Sequence, residues 1–399
     1  MAIDDDQGLA SWAEYVDLLK DAADLETTLW DPDDVDLRAA LYRQFAMSLS
    51  QGYFLYFAAA DPRQPDWVPF ENSAFLAQPN PDAVYHYAAV DGTGVYRIRG
   101  RRGTVPVVGF ATGRNLFGMS DSPGPGFDNY DADQLTLDEA GFFDVVLSAE
   151  RPAGYQGDWL YLNPDTQFVI VRQFSYDWGN ELDATLGIVR LDEAPPSPRV
   201  TATDVDARLR GLFGQYTAGL SKVTTGYMKN LREREGSDQV VLTDFSGLGN
   251  GADWPQAYYE CRFELTPDEA LIVETDLPEH HVYWNIQVID ALWNQVELIH
   301  HQSSLNGFQA HIDSDGKFRA VLSTTDPGVP NWLDTGGELK GMLIGRWYRC
   351  SSHPTPTVSR VKVADVRAHL PADTPLITTE QRTEVLRQRA LGAQLRRRW

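Results

Sequence analysis

Two stretches of the chain carry the same pattern of residues at a nearly constant spacing, and this repeat constrains the fold more than any other feature. The matched residues of the first copy are Phe143, Val146, Leu147, Ser148 and Pro152, and those of the second copy are Phe318, Val321, Leu322, Ser323 and Pro327. Trp159 then matches Trp332, and Arg172 matches Arg346. The repeat predicts two units that share one topology, which points to duplication.

Both copies have the residue pattern of antiparallel β-structure. Short β-branched and aromatic runs, such as FVIVRQF at 168–174 and FRAVLS at 318–323, alternate with turns rich in Gly, Pro, Asn and Asp. Parallel sheets would need crossover helices, and neither copy shows that alternation. We therefore predict a mainly β chain with accessory helices, built from two tandem jelly-roll-like antiparallel β-sandwich or barrel domains.

Helical periodicity and a proline-rich connection, EAPPSPR at 193–199, divide the chain. The predicted segments are N-terminal helices at 1–52, a first sandwich at 53–192, a linker with one long amphipathic helix at 193–256, a second sandwich at 257–364 and a helical tail at 365–399. The bases Arg396 to Arg398 suit the negative end of the last helix dipole, so we expect a capped and solvated helix end there.

The balance of charge excludes some partners. The 399 residues include 57 acids and 34 Lys and Arg, a net charge of -23, which disfavours nucleic acid. The sequence begins with acidic residues, so we expect no export signal. It has no apolar run of about 18 residues, so we expect no membrane span. Cys261 and Cys350 give neither a disulfide framework nor a zinc motif, so we expect a cytoplasmic protein.

The repeat also separates residues with a structural role from candidate site residues. A residue present in both copies is most simply explained by a packing need that both share. We therefore expect Trp159 and Trp332 to anchor the cores, and Arg172 and Arg346 to stack on those indoles or to pair with acids such as Asp177 and Asp334. The residues that break the symmetry are better site candidates: Asp82, Tyr85, His86, His280, His281, His300, His301, Asn306, Asn331 and Asp334.

Four motifs of the second copy stand out: VYWNIQVID at 282–290, SSLNG at 303–307, DPGVPNWLDTGG at 326–337 and GRW at 345–347. With these motifs, the second copy resembles the DUF1214 family from about 258 to 349. The first copy resembles the partner domain DUF1254, with Asn80, Asp82 and Tyr85 at the family's Asn-x-Asp-Thr-x-Tyr positions, although Ala83 replaces the threonine. The resemblance implies two tandem jelly-roll-like domains with a helical part, and a homo-oligomer, but no settled mechanism.

Standard catalytic motifs are absent from the sequence. It contains no His-Glu-x-x-His, Gly-x-Ser-x-Gly, Walker loop or Cys-x-x-Cys. The GLGNG at 247–251 leads into Ala-Asp-Trp-Pro rather than into a helix, so we interpret it as a loop. No nucleotide cofactor is therefore expected.

Paired histidines leave a metal or an acid/base site open. Neighbours on a strand point to opposite faces, so only one histidine of each pair can face a pocket. If His281 and His301 met with Asp334 or Glu297, they could bind a divalent metal or act as a general base and its orienting acid. Histidines at strand ends that serve no site are the alternative.

The eleven tryptophans are open to two interpretations. Trp284, Trp293, Trp332 and Trp347 could line a pocket for a sugar ring, an aryl group or a sterol-like plate. They could equally form a large aromatic core. A pocket wall would leave an indole face accessible to a quencher, whereas a core would not.

The leading hypothesis is an enzyme that acts on a small apolar, aromatic or glycosidic molecule, as a hydrolase, lyase or isomerase. The candidate acid/base groups are His281, His301, Asp82 and Asp334, with Tyr85 as a hydrogen-bond donor. The candidate substrate-binding residues are Trp284, Trp293, Asn306, Asn331, Trp332, Arg346 and His86, and Arg346 would hold an anionic or carbonyl oxygen. A noncatalytic small-molecule or carbohydrate-binding protein is the alternative, and a structural assembly protein is a third.

Overall fold

The computed structural model describes residues 8–71, 74–120, 124–192, 199–234, 236–243 and 254–396. These residues form two β-sandwich units, each made of a five-stranded and a four-stranded sheet. Helices from both ends of the chain and from the connection between the units pack around them. The prediction of a mainly β fold with two jelly-roll-like sandwiches and accessory helices is confirmed, and neither unit is a closed barrel.

The first unit is built from nine strands. Its five-stranded sheet has the spatial order β1 (Val68–Pro69), β2 (Ala83–Ala89), β8 (Phe168–Phe174), β4 (Val107–Gly113) and β5 (Gly126–Asp131). Its four-stranded sheet has the order β7 (Asp158–Tyr161), β6 (Phe142–Ser148), β3 (Tyr96–Arg101) and β9 (Thr185–Arg190). Residues between the two sheets, such as Tyr96, Phe110 and Phe143, are buried in one apolar cluster.

The second unit is also built from nine strands. Its five-stranded sheet has the order β10 (Val240–Thr243), β11 (Gln256–Glu264), β17 (Lys340–Cys350), β13 (His281–Ile289) and β14 (Ser304–Asn306). Its four-stranded sheet has the order β16 (Trp332–Asp334), β15 (Phe318–Ser323), β12 (Glu269–Thr275) and β18 (Thr357–Lys362). Strand β10 lies inside the stretch predicted as linker, because a four-residue edge strand carries too short a pattern to recognise.

The two units have the same topology strand for strand, as the sequence repeat predicts. Among the described strands, each unit contains one parallel pair, and the other pairs are antiparallel. Each parallel pair places a tryptophan opposite a valine: Trp159 opposite Val146, and Trp332 opposite Val321. Each indole N–H donates to a serine at the end of the neighbouring strand, Trp159 to the Ser148 hydroxyl and Trp332 to the Ser323 carbonyl. The Trp-Leu motif is therefore a repeated structural corner.

Helices pack around the two units. They are α1 (Trp12–Asp17), a 3₁₀ helix (Leu18–Thr28), α2 (Val35–Tyr53) followed by a π-helix (Phe54–Ala58), a short 3₁₀ helix (Ala132–Gln134), α3 (Ala202–Leu209) joined by a π-helix (Arg210–Tyr216) to α4 (Thr217–Arg234), a 3₁₀ helix (Val363–His369) and α5 (Thr379–Leu395). Apolar residues of α2 and α4 belong to the same cluster as Phe174, Tyr283 and Tyr348, which come from both units. None of the described helices is long and apolar enough to cross a bilayer.

Helix α5 is attached to both units by arginines spaced seven residues apart. Arg382 binds Asp326 and stacks on Trp332. Arg389 donates to backbone and side-chain oxygens of the second unit and stacks on Trp178 at 4.5 Å. Arg396 binds Asp183 of the first unit and is 6% exposed. The prediction of a solvated helix end is therefore wrong for Arg396, because its guanidinium donates hydrogen bonds to buried carbonyl oxygens. Arg397 and Arg398 lie outside the described residues.

Candidate functional site

A cavity of about 80 Å³ lies at the junction of the two units and the segment that follows β1. Charged and phenolic groups meet there with aromatic walls. The residues that line the cavity include Glu71, Gln78, Tyr85, Arg172, Trp254, Tyr258, Trp293 and Arg346. Of the predicted site residues, the cavity brings together Tyr85, Trp293 and Arg346.

Equivalent strands of the two units supply the two arginines. Arg172 lies on β8, the central strand of its sheet, opposite Tyr85 on β2. Arg346 lies on β17, the matching strand of the second unit, opposite Tyr258 on β11. The five-stranded sheets of both units approach this junction, so two copies of one Arg-Tyr register pair line a single cavity.

Aromatic rings and neutral oxygens position the guanidinium groups. Arg172 lies 4.9 Å from the centre of the Trp254 ring, and Arg346 lies 5.7 Å from the centre of the Tyr258 ring. Arg346 also donates to Gln287 Oε1 at 2.9 Å and to the Gln78 carbonyl at 3.1 Å. These contacts fix planar, charged groups at the cavity wall.

The expected stacking of these arginines on the repeated tryptophans is wrong. Trp159 and Trp332 lie in the four-stranded sheets, whereas Arg172 and Arg346 lie in the five-stranded ones. Arg382 of helix α5 stacks on Trp332 instead. Sequence proximity misled here, because consecutive strands of a sandwich can belong to opposite sheets.

Glu71 supplies the one carboxyl group among the described residues that line the cavity. Burial raises the pKa of Glu71 to about 7, and the positive charges of Arg172 and Arg346 oppose that rise. Burial and the neighbouring Glu71 also raise the pKa of Tyr85, so this phenol stays protonated near neutral pH. The Tyr85 hydroxyl oxygen accepts a hydrogen bond from the backbone N–H of Asn80 at 3.1 Å. The cavity therefore holds a carboxyl group that can exchange a proton near pH 7.

Backbone strain is concentrated around the same cavity. Four lining residues that are not glycine have φ values in the left-handed region: Glu71 (55°), Ala77 (62°), Gln78 (47°) and Trp293 (70°). Each such residue costs on the order of 1–3 kcal/mol and persists only where the surrounding structure holds it. Strain of this kind gathers at ligand and active sites.

Asp82 lies in a buried hydrogen-bond network rather than in an open site. It is 1% exposed, and its carboxylate accepts hydrogen bonds from four side chains. The donors are Trp178 at 2.8 Å, Asn306 at 2.7 Å, Tyr283 at 2.5 Å and Asn285 at 3.1 Å. Three of these donors come from the second unit, so Asp82 and Asn306 join the two units.

The two histidines proposed to meet lie at opposite ends of β13. His281 is the exposed first residue of β13. His301 lies just before β14, and Ser304 of β14 pairs with Gln287 near the other end of β13. His301 Nδ1 lies 2.7 Å from Asp334 Oδ2. Asp334 therefore orients His301 but not His281, so the joint His281–His301 site does not form. Among the described residues, no three His, Cys, Asp or Glu side chains are grouped to hold a metal ion.

The remaining predicted site residues lie away from the cavity. Trp284 is 1% exposed and packs edge-on against Phe318, so it belongs to the core. Asn331 bonds to the backbone of His311 and Arg319. His86 Nδ1 lies 3.4 Å from Gln173 Nε2. His86 also lines a surface cleft together with Asp183. GLGNG at 247–251 lies outside the described residues.

Sequence reasoning missed Glu71, Gln78 and Trp254. Glu71 stands in a segment without a recognisable motif, and its importance comes from burial and a positive φ, neither of which the sequence displays. Arg172 carried a usable signal, because it matches Arg346, which is among the predicted substrate-binding residues. Arg172 itself was expected to have only a structural role, because it is present in both copies.

Comparison with known proteins supports the fold and leaves the reaction open. Residues 262–352 match the family described as a protein of unknown function, DUF1214. No protein of curated function matches the chain in sequence.

The crystal structure of an uncharacterised protein from Burkholderia cenocepacia is similar, with 29% identity, a TM-score of 0.79, and coverage of 88% of this chain and 97% of that one. The VPA0106 protein from Vibrio parahaemolyticus has 13% identity and a TM-score of 0.44, with coverage of 87% and 100%. The second unit thus contains a DUF1214 segment, within a fold shared along most of the Burkholderia protein.

Proposed function

We propose that this protein is an enzyme that transfers protons to and from a small molecule bound in the central cavity. The observation that carries the proposal is Glu71, a carboxyl group with a pKa near 7 that faces two arginines and a protonated tyrosine. Near neutral pH such a group is present in both forms, so it can accept a proton from the substrate as carboxylate and return one as acid. Tyr85 would donate a hydrogen bond to the oxygen on which charge develops.

The cavity volume narrows the substrate. About 80 Å³ corresponds to roughly five to eight non-hydrogen atoms, if each needs about the space of one water molecule. A sugar chain or a sterol-like plate is larger than this. Among the apolar, aromatic and glycosidic molecules expected from the sequence, this volume favours a compact one. We propose that the enzyme acts on it without a nucleotide cofactor.

A noncatalytic binding protein is the competing function, since the same cavity could hold a ligand without changing it. The deciding experiment incubates the purified protein with a small-molecule extract and follows consumption and formation of compounds by mass spectrometry. Wild type is compared with Glu71→Gln, which keeps the shape of the side chain, and with Glu139→Gln at an exposed position. Conversion by wild type and Glu139→Gln, but not by Glu71→Gln, supports the enzyme. Enrichment of a compound without conversion by any of the three contradicts it.

We propose three further properties. The first unit is a DUF1254-like domain, since Asn80, Asp82 and Tyr85 all bond within the junction. The protein works in the cytoplasm, where its two free cysteines would stay reduced. It forms a homo-oligomer, which sedimentation velocity at two protein concentrations would test.

A further inference from the structure

We infer that the central cavity binds a small organic carboxylate, whose anionic oxygens are held by Arg172 and Arg346. This inference rests on the proposed use of the cavity as the substrate site and names the class of substrate. It draws on the charge of the cavity, the position of the two arginines and the apolar remainder of the wall.

The charge of the cavity favours an anion. Two guanidinium groups and one carboxyl group are found among its described lining residues, so cationic side chains outnumber anionic ones in this set. The side-chain and backbone oxygens that accept hydrogen bonds from Arg346 belong to Asn285, Gln287 and Gln78, and none of them carries a charge. The anionic oxygens of a ligand would meet these guanidinium groups in a setting where water screens charge poorly.

The position of the arginines favours two-sided binding. Arg172 and Arg346 occupy equivalent register positions on the central strands of two related sheets, and both line the same space. Each is stacked on an aromatic ring, which holds the guanidinium plane at a defined orientation. A planar fork of N–H groups matches the two oxygens of a carboxylate in geometry and charge.

The rest of the lining favours an organic acid over an inorganic anion. Phe70, Phe117, Ile170 and Phe174 form apolar parts of the wall. Phosphate has no apolar portion to place against them. A carboxylate attached to a short carbon skeleton satisfies both the arginines and the apolar wall, within the five to eight non-hydrogen atoms that the volume allows.

The first test uses the unmodified protein and isothermal titration calorimetry. The probes are propionate, pyruvate and malonate, the amides of the same acids, and inorganic phosphate. We expect at least one carboxylate to bind tenfold or more tightly than its own amide. Equal affinity for acid and amide, no binding of any carboxylate at millimolar concentration, or tighter binding of phosphate than of every carboxylate would each overturn the inference.

Variants locate the bound anion. Arg172→Gln and Arg346→Gln are expected to weaken carboxylate binding at least tenfold, whereas Arg114→Gln, at an exposed ion pair with Asp165, should leave it unchanged. Circular dichroism and thermal melting establish whether each variant is folded. If a variant does not fold, the comparison of acid with amide in the wild-type protein still tests whether the protein binds a carboxylate. Unchanged affinity in both folded cavity variants would place the anion elsewhere.

The pH dependence gives a second readout. The ionisable groups among the described residues that line the cavity are Glu71, Tyr85, Arg172, Tyr258 and Arg346. Burial raises the pKa of Glu71 to about 7, so Glu71 loses a proton and becomes negatively charged between pH 6 and pH 8. Carboxylates that stay ionised over this range should therefore bind severalfold more tightly at pH 6, and Glu71→Gln should remove that difference. Binding that is independent of pH in wild type would contradict the placement of the anion beside Glu71.

The same variant separates this inference from the proposed function. The Glu71→Gln variant should still bind carboxylates, but it should no longer convert the compound that the wild-type protein converts in the mass-spectrometry experiment. Retained turnover in Glu71→Gln would overturn the acid/base role and leave the carboxylate site standing. Lost turnover together with equal binding of acids and amides would overturn the carboxylate site and leave the acid/base role standing.

Discussion

Arg172 and Arg346 occupy the same register position in two copies of one fold, and their side chains line a single cavity between the copies. Each arginine lies opposite a tyrosine on the neighbouring strand, Tyr85 in one unit and Tyr258 in the other. Duplication thus placed two related cationic positions at one junction. Glu71, Trp254 and Trp293 complete the wall of the cavity.

Replacing Glu71 with Gln should change how stability depends on pH. The pKa of Glu71 in the folded protein is about 7, above the value of 4.5 for an unperturbed carboxyl group, so the folded state binds more protons between these values. The contribution of Glu71 to the free energy of unfolding is therefore full below about pH 4.5 and is lost as the pH rises through 7.

Urea unfolding of wild type and Glu71→Gln at pH 5 and pH 8 measures this contribution. The variant should gain about 2 kcal/mol relative to wild type between the two pH values. A constant difference between the two proteins across this range would show that Glu71 does not titrate there.

Replacing Asp82 with Asn should destabilise the junction between the units. Four donors now bond to the Asp82 carboxylate, and they include Trp178 on one oxygen and Tyr283 on the other. In the variant, the NH₂ group would replace one of these oxygens and would point at the two donors that bond to it. Leaving buried donors without an acceptor should lower the free energy of unfolding by about 3 kcal/mol. The matched control is Asp165→Asn, at an exposed pair with Arg114, which should change stability by less than about 1 kcal/mol. Thermal or chemical unfolding compares the two; equal effects would contradict the structural role of Asp82.

Replacing Gly109 with Ala should disturb Trp254. An added Cβ at Gly109 would lie 2.6 Å from the Trp254 ring, closer than packed atoms approach. The ring must shift away from its stack on Arg172, at a cost of about 1–3 kcal/mol, and carboxylate binding should weaken. Gly226 on helix α4 has open space at the same position, so Gly226→Ala should stabilise the protein by about 0.5–1 kcal/mol. Unfolding curves and calorimetry of both variants check this, and a harmless Gly109→Ala would refute the close approach.

Replacing Arg396 with Gln should loosen the end of helix α5. Arg396 bonds to Asp183, to the Asp82 carbonyl and to the Gln173 carbonyl, all in the first unit. Without these bonds, amide hydrogen exchange in the last turn of α5 should quicken at least tenfold. Arg387→Gln, at an exposed position of the same helix, is the control and should leave exchange unchanged. Equal exchange in both variants would mean that Arg396 does not hold the helix end.

Much of the architecture was predictable because it depends on local patterns. Alternating β-branched and aromatic runs specify strands, and the repeated Trp-Leu motif specifies a corner that both units use. The histidines show where such reasoning stops. His281 and His301 are 20 residues apart in sequence, and the antiparallel register of β13 and β14 separates them, while Asp334 comes to His301 from a strand of the other sheet.

The sequence by itself determined two sandwiches of one topology, the helices that accompany them and the DUF1214 segment, because each follows from hydrophobic periodicity, turn residues or a contiguous motif. Only the tertiary structure decided where the cavity lies and which groups face it. Glu71, Arg172 and Arg346 are far apart along the chain, and the charge and pKa of such a site arise from burial and proximity, which exist only once the two units have packed together.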